Sequence, residues 1–173
     1  MRAKPVMPTA YVFDFDDTLI KSDVKTHVYR DGQFFKSLSA EEYNTYQKQS
    51  NDTYDMSDFD NPALIADAET YIMWPLLEKY DKNEFDIYIL TARHPEAIVI
   101  IHNFLITHGI KNLPIENIFA VGDNLGLIDI PIEKRKVLEL VAKEYTTVNF
   151  YDDNIATVDF VKDIPNLFAY LVE

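Results

Sequence analysis

The sequence predicts an α/β fold in which helices flank a central, mainly parallel β-sheet. Short runs of aromatic and β-branched residues, typical of buried strands, recur along the chain, and helical patterns lie between them. The predicted strands are residues 10–14, 86–91, 117–121, 147–151 and 167–172. Because strands that alternate with helices usually form parallel βαβ units, we predict a three-layer, Rossmann-like sandwich.

The predicted helices follow from the spacing of their apolar residues. In residues 95–108, Ile98, Ile101 and Leu105 fall on one helical face, and Gly109 follows as a stop signal. The same spacing predicts two further helices, over residues 132–145 and 154–163. Each of these helices follows a predicted strand, so we expect them to pack on the sheet.

The stretch from about residue 21 to residue 82 breaks this alternation and predicts a small insert after the first strand. Asp31-Gly32 separates two strand-like runs, which is a hairpin signal. Ser39 and Glu42 form a capping-box pattern, which predicts a helix over residues 40–49.

The rest of the insert is less regular. Residues 51–61 are polar and acidic and predict a loop, whereas residues 68–81 predict a helix with Pro75 in its first turn or at a kink. An insert of this size is too small to bury a large core of its own. We therefore predict one domain over residues 1–173, with the insert packed near the end of the first strand.

Composition narrows the function classes. The 16 basic and 29 acidic residues leave a net charge of −13, which argues against broad binding to nucleic-acid phosphates but allows a local pocket for one phosphate. Cysteine is absent, which excludes disulfides, thiolate zinc sites and cysteine nucleophiles. We see neither a signal peptide nor an uncharged run of ~18 residues for a membrane span, and we expect a soluble cytoplasmic protein without an obligate protein partner.

The first chemical motif follows the first predicted strand directly. Asp14, Asp16 and Asp17 stand within four residues, and Thr18 follows them. The carboxyl ends of parallel strands line the ligand crevice of such sheets, and clustered carboxylates repel one another unless a cation compensates. Oxygen ligands suit Mg²⁺, and a carboxylate can attack phosphorus while a second one transfers protons. The alternative is an acidic loop or a helix cap.

Two further motifs offer groups that bind phosphate. Thr91 and Arg93 end another predicted strand, where a hydroxyl and a guanidinium suit phosphate oxygens. Lys134 lies three, four and seven residues before apolar residues of its helix, so it shares their sheet-facing side. Lys136 points elsewhere but remains a competitor, because predicted helix starts are uncertain.

The fourth motif is a pair of aspartates, Asp152 and Asp153, after the strand over residues 147–151. The pair would complete a metal site, although Asp153 or Asn154 is equally suited to cap the following helix. The order of the four motifs is more specific than any one of them, because each falls at a predicted strand end or helix start.

In this order the sequence resembles the haloacid dehalogenase (HAD) superfamily of phosphatases, in a small-cap form with a paired-aspartate fourth motif. The resemblance implies Asp14 as nucleophile, Asp16 as general acid/base, and Lys134 as the third-motif lysine. It places Thr18 at the hydroxyl position of the first motif and Thr91 in the second motif. The implied Mg²⁺ ligands are Asp14, the backbone carbonyl of Asp16, and Asp153, with Asp152 beside the lysine.

The resemblance also implies the reaction and leaves the substrate open. It predicts a Mg²⁺-dependent phosphomonoesterase; the alternative is a non-catalytic module that binds a phosphorylated ligand. The Asp31-Gly32 hairpin matches the flap of the family, so we expect an open site. Nucleotides, nucleic-acid ends and small metabolites are equal candidates. A local phosphate pocket would draw on Arg93, His94, Lys25, His27 and Arg30, and Asp123 is expected at the rim.

Overall fold

The computed structural model describes residues 8–123 and 126–173, and it confirms the predicted α/β fold. Its strands are β1 (Thr9–Phe13), β2 (Ile20–Lys21), β3 (Thr26–Arg30), β4 (Gln33–Leu38), β5 (Asp52–Asp55), β6 (Glu69–Thr70), β7 (Asp86–Thr91), β8 (Ile118–Ala120), β9 (Thr147–Asp152) and β10 (Leu167–Leu171). Its α-helices are α1 (Ala40–Thr45), α2 (Pro62–Ala66), α3 (Trp74–Lys82), α4 (Ile98–Thr107), α5 (Ile130–Glu144) and α6 (Ile155–Val161).

The central sheet has the strand order β10-β9-β1-β7-β8, and all of its pairings are parallel. Alternate side chains of β1 point to opposite faces, so Phe13 packs with Phe104 of α4 on one side, and Val12 packs with Leu138 of α5 on the other. Two apolar clusters therefore form the layers between sheet and helices. β1 lies in the middle, which places the residue after it at the centre of the sheet edge.

The insert contains the predicted hairpin and one strand that the sequence did not predict. β3 and β4 pair around Asp31-Gly32, where both residues adopt the positive φ of a tight turn. The loop prediction over residues 51–61 was wrong in part, because β5 pairs with β3. Asp52 of β5 is buried, and its carboxylate accepts hydrogen bonds from Arg30 of β3, with Nε···Oδ1 at 2.8 Å. A polar strand held by an ion pair shows no apolar alternation in the sequence.

The helices of the insert also end or begin away from their predicted positions. The capping box is present, since Ser39 accepts from the Glu42 amide at 3.2 Å and Glu42 accepts from the Ser39 amide at 2.8 Å. The helix nevertheless ends at Thr45 rather than at residue 49, because the chain turns so that the Tyr46 hydroxyl donates to Asp52 at 2.7 Å.

In the last part of the insert, α3 begins at Trp74 with Pro75 in its first turn, as one of the two predicted alternatives has it. The residues before it do not continue this helix, since Glu69 and Thr70 form β6 and pair with β2. Among the described residues, no helix combines the length and the apolar character needed to cross a membrane.

Candidate active site

Three acidic side chains meet at the carboxyl edge of the sheet. Asp14 follows β1 directly, Asp152 ends β9, and the Asp14 amide donates to the Tyr151 carbonyl at 2.8 Å across these neighbouring strands. Asp153 is the next residue, and one carboxylate oxygen of each aspartate lies within 4.8 Å of the others. The paired-aspartate motif therefore lies beside the first motif. Asn154 caps α6 by accepting from the Thr157 amide, which separates the capping residue from the pair.

A buried lysine joins two of these carboxylates. Lys134 is 2% exposed, and its Nζ donates to Asp14 Oδ1 at 2.9 Å and to Asp152 Oδ2 at 2.7 Å. It lies in the second turn of α5, whose first turn is capped by the Asp129 carboxylate. Lys136 points to solvent, with its side chain 63% exposed, and it pairs with Glu133 at 2.6 Å. The helical spacing thus selected the lysine that reaches the acidic cluster.

The cluster holds more negative charge than Lys134 balances. Burial raises the pKa of Asp14 well above its ordinary value, and the nearby Asp152 and Asp153 raise it further against the opposing effect of Lys134. Burial, followed by the charge of Asp152, raises the pKa of Asp153 to about 6. Carboxylates that resist ionisation in this way favour a cation among them. The donor set, oxygen atoms only, fits Mg²⁺.

The Asp16 carboxylate is held by Arg93. The guanidinium donates through Nε to Asp16 Oδ2 at 2.8 Å and through a second nitrogen to Asp16 Oδ1 at 2.6 Å. Its third nitrogen donates to the carbonyl of Phe59 in the insert. Arg93 is 0% exposed, and all three nitrogens have protein acceptors. In this structure the fork binds Asp16 and links it to the insert, and the predicted contact of Arg93 with phosphate stays a prediction.

A pocket of about 440 Å³ opens above this cluster. Asp14, Asp16, Asp153 and Lys134 line its base. The insert supplies an apolar wall, which consists of Val24, Leu38, Met56 and Phe59. Sequence analysis did not identify this wall. The sequence feature that could have indicated it is the few apolar residues within an otherwise polar segment.

Comparison with solved structures identifies the fold. The Class C acid phosphatase of Bacillus anthracis superposes with a TM-score of 0.54 at 16% sequence identity, over 96% of this chain and 67% of that one. A HAD-superfamily hydrolase from Ehrlichia chaffeensis gives a TM-score of 0.48 at 15% identity, over 94% and 86% of the two chains. The HAD domain of the Legionella pneumophila effector protein Lem4, as an inactive mutant, gives 0.49 at 11% identity, over 96% and 86%.

The chain has a HAD-like fold. At 16% identity the likeness to the Bacillus anthracis protein concerns the fold, and it agrees with the three-layer sandwich described above. No protein-family model matches the chain, and neither does any curated protein.

On this HAD-like fold the two threonines of the motifs are buried rather than on the pocket wall. Thr91 is 0% exposed, and its hydroxyl accepts from the Arg93 amide at 3.2 Å. Thr18 is equally buried, and within residues 8–123 and 126–173 its hydroxyl oxygen has no hydrogen-bond partner. As the structure stands, Thr91 shapes the turn that carries Arg93. The predicted contact of either hydroxyl with substrate stays a prediction.

The basic residues expected to form a phosphate pocket do not line the pocket above the acidic cluster. His27 pairs with Asp58 at 3.1 Å, and Arg30 pairs with Asp52. Two further basic residues also lie outside the pocket lining: Lys25 is exposed, and His94 lies at the start of a short 3-10 turn with its Nδ1 3.9 Å from the Glu96 carboxylate. Together with the buried Arg93, this corrects the expectation that these five side chains converge, because acids of the insert or of the first motif bind three of them.

Asp123 does line the pocket, as expected for a rim residue. A close approach of the backbone places it there: a Cβ built on Gly122 would lie 1.7 Å from the Ala92 carbonyl oxygen, so only glycine fits. The sequence analysis expected Asp123 at the rim and gave no role to the glycine before it. The contact with the β7 loop supplies that role.

Proposed function

We propose that this protein is a Mg²⁺-dependent phosphomonoesterase that works through an aspartyl-phosphate on Asp14. The observation that carries the proposal is the buried Asp14–Lys134–Asp152 arrangement, with Asp153 beside it, at the base of an open pocket. The ammonium of Lys134 orients Asp14 and favours its ionised form. An ionised carboxylate that faces a pocket is a suitable nucleophile for phosphorus.

The chain's own residues account for both steps. In the first, a carboxylate oxygen of Asp14 bonds to phosphorus while the ester O–P bond breaks, and Asp16 gives a proton to the departing oxygen. In the second, Asp16 takes a proton from water, whose oxygen bonds to phosphorus as the aspartyl-phosphate bond breaks. Lys134 offsets negative charge throughout. This returns Asp14 and releases inorganic phosphate.

Mg²⁺ would be held by the carboxylates of Asp14 and Asp153 and by the backbone carbonyl of Asp16, with Asp152 kept in place by Lys134. When bound, the ion supplies positive charge that offsets the charge of the phosphoryl oxygens. The fit rests on the all-oxygen donor set and on the raised pKa values of Asp14 and Asp153. A cytoplasmic location is part of the same proposal.

Release of phosphate from p-nitrophenyl phosphate tests this function. With millimolar Mg²⁺ the wild-type protein is expected to release phosphate, and excess EDTA is expected to stop the release until Mg²⁺ is restored. The physical reason is that the carboxylate cluster lacks sufficient compensating charge without the ion. Release that persists unchanged in EDTA would contradict the metal requirement, and no release with Mg²⁺ would contradict the enzyme.

One observation favours a second function, a non-catalytic module that binds a phosphorylated ligand. Both carboxylate oxygens of Asp16 are engaged by Arg93, whereas a general acid needs one of them to face the substrate. The same assay separates the two functions, because the module would bind inorganic phosphate or p-nitrophenyl phosphate in the presence of Mg²⁺ without releasing product.

Arg93→Lys tests the positioning of Asp16. A lysine keeps the positive charge but cannot make the bidentate contact with the Asp16 carboxylate. Asp16 is therefore expected to move relative to the leaving oxygen. We expect kcat to fall about 100-fold with little change in KM, since misplacement of about 1 Å has that effect. The readouts are kcat and KM for p-nitrophenyl phosphate and the thermal midpoint. Arg135→Lys is the matched control, because Arg135 also binds carboxylates, those of Glu139 and Asp163, but does not line the pocket.

A further inference from the structure

The charge distribution of the pocket is one-sided. Among the described residues that line the pocket, Lys134 is the only one with a positively charged side chain, and its ammonium already donates to two carboxylates. The wall also carries Asp17, Asp123 and Asp129, which lie outside the Asp14–Asp152–Asp153 cluster. Lys134, together with a Mg²⁺ ion held by the carboxylate cluster, would compensate the charge of one phosphoryl group at the base. A second anion on the substrate would face carboxylates at short range without a free cation to meet it.

The opposite wall is apolar and partly aromatic. Met56 and Phe59 come from the segment after β5, and Tyr43 comes from α1. Met56 also closes the pocket toward the stretch before α5, since a Cβ built on Gly126 would lie 3.0 Å from its Cε. A leaving group in this part of the pocket meets mainly hydrocarbon and ring faces, and the polar groups that the insert adds to the lining are Thr26, Asn44 and the Tyr43 hydroxyl. Such a surface favours an uncharged ring.

We propose that the site takes aryl and arylalkyl phosphate monoesters, whose single anion is the phosphoryl group and whose leaving group is an uncharged aromatic ring. This rests on the proposed phosphatase function and narrows its substrate. The pocket of about 440 Å³ is of a size that holds one small molecule. Nucleic-acid ends bring further phosphates, which the acidic wall repels, and nucleotides bring polar sugars, which the apolar wall disfavours.

The proposed chemistry is consistent with the contact between Asp16 and Arg93. When an aryl ester is cleaved, the ester O–P bond breaks and its electron pair stays on the aryl oxygen. A phenol, with a pKa of ~10 in tyrosine, is a stronger acid than an aliphatic alcohol, so its oxygen needs less protonation as it leaves. Asp16, held by two guanidinium bonds, then has only to supply a proton late in the step.

Matched pairs of substrates test the proposal at saturating Mg²⁺. Phenyl phosphate is compared with 4-carboxyphenyl phosphate, which adds one anion without making the leaving group worse. Benzyl phosphate is compared with AMP and with a 5′-phosphorylated dinucleotide, since all three are primary alkyl phosphates. For phenyl phosphate against 4-carboxyphenyl phosphate, and for benzyl phosphate against the dinucleotide, we expect kcat/KM to be at least about tenfold higher for the first compound, because like charges a few ångströms apart repel by more than thermal energy. AMP carries the same charge as benzyl phosphate, so a higher kcat/KM for benzyl phosphate than for AMP is expected because the apolar wall favours a phenyl ring over a polar ribose.

A charge introduced into the apolar wall gives an independent readout. Met56→Lys is expected to lower the ratio of kcat/KM for phenyl phosphate to that for 4-carboxyphenyl phosphate at least about threefold, because it adds a cation of similar length to the wall. Ser57→Lys places the same charge on an exposed neighbour that does not line the pocket, and it is expected to leave the ratio unchanged.

The outcomes separate this inference from the proposed function. The substrate class would be overturned if AMP or the dinucleotide were turned over as fast as benzyl phosphate, or if the two aryl esters reacted at equal rates. Either result would leave the proposed phosphatase function intact. An equal effect of Met56→Lys and Ser57→Lys would overturn the role of the apolar wall. If none of these esters releases phosphate, the phosphatase proposal falls and this inference falls with it.

Discussion

Asp14→Asn is expected to abolish phosphate release, with kcat reduced at least about 10⁴-fold, because the amide cannot act as the nucleophile. The fold is expected to survive. Burial raises the pKa of Asp14, which means that the folded protein disfavours its charged form, and a neutral amide of the same shape removes that penalty. Lys134 keeps Asp152 as a partner at 2.7 Å. The thermal midpoint without metal is therefore expected to stay the same or to rise.

The measurement pairs kcat for p-nitrophenyl phosphate with thermal unfolding. Asp23→Asn makes the same chemical change at an exposed position of the insert and is the matched control, with both quantities near wild type. If Asp14→Asn kept a substantial part of the wild-type rate, Asp14 would not be the nucleophile. If it lost activity together with its cooperative unfolding transition, the loss would reflect misfolding and the catalytic assignment would lack support.

Lys134→Met is expected to lower both stability and activity. It leaves the carboxylates of Asp14 and Asp152 buried without their shared donor, and removing one partner of a buried ion pair typically lowers the free energy of unfolding by about 3–5 kcal/mol. Activity is expected to fall about 10²–10³-fold, since a charge that stabilises the transition state is lost.

Lys136→Met is the matched control for Lys134→Met, because it makes the same substitution at a lysine outside the acidic cluster. It removes the same charge two residues away, where the side chain is 63% exposed and pairs with Glu133 at the surface. A change of at most about 1 kcal/mol in the free energy of unfolding is expected, with kcat near wild type. Denaturant unfolding and the phosphatase assay check both variants. Equal losses in the two would show that Lys134 has no special place in the site.

The sequence by itself determined the layered fold and the base of the site. The apolar runs predicted the central strands to within about two residues at each end, because strands buried on both faces must be apolar throughout. The same topology required the acids after β1 and β9 to meet at one edge. Helical periodicity favoured Lys134 over Lys136 because it sets which side chain faces the sheet, but the uncertain helix start left both candidates open, and the structure places Lys134 at the acidic cluster and Lys136 at the surface.

Only the tertiary structure decided how the polar side chains of the insert pair with the rest. Arg93 binds Asp16, which precedes it by 77 positions, and Asp52 is buried because Arg30 and Tyr46 donate to it. Such pairings depend on the distance between two side chains in the folded protein, and this distance cannot be inferred from residue types in the sequence. For the same reason the pocket wall of Met56 and Phe59 became visible only when the insert was seen packed over Asp14. The residues proposed for the chemistry lie in short sequence motifs, whereas the residues proposed to select the substrate come together only in the folded chain.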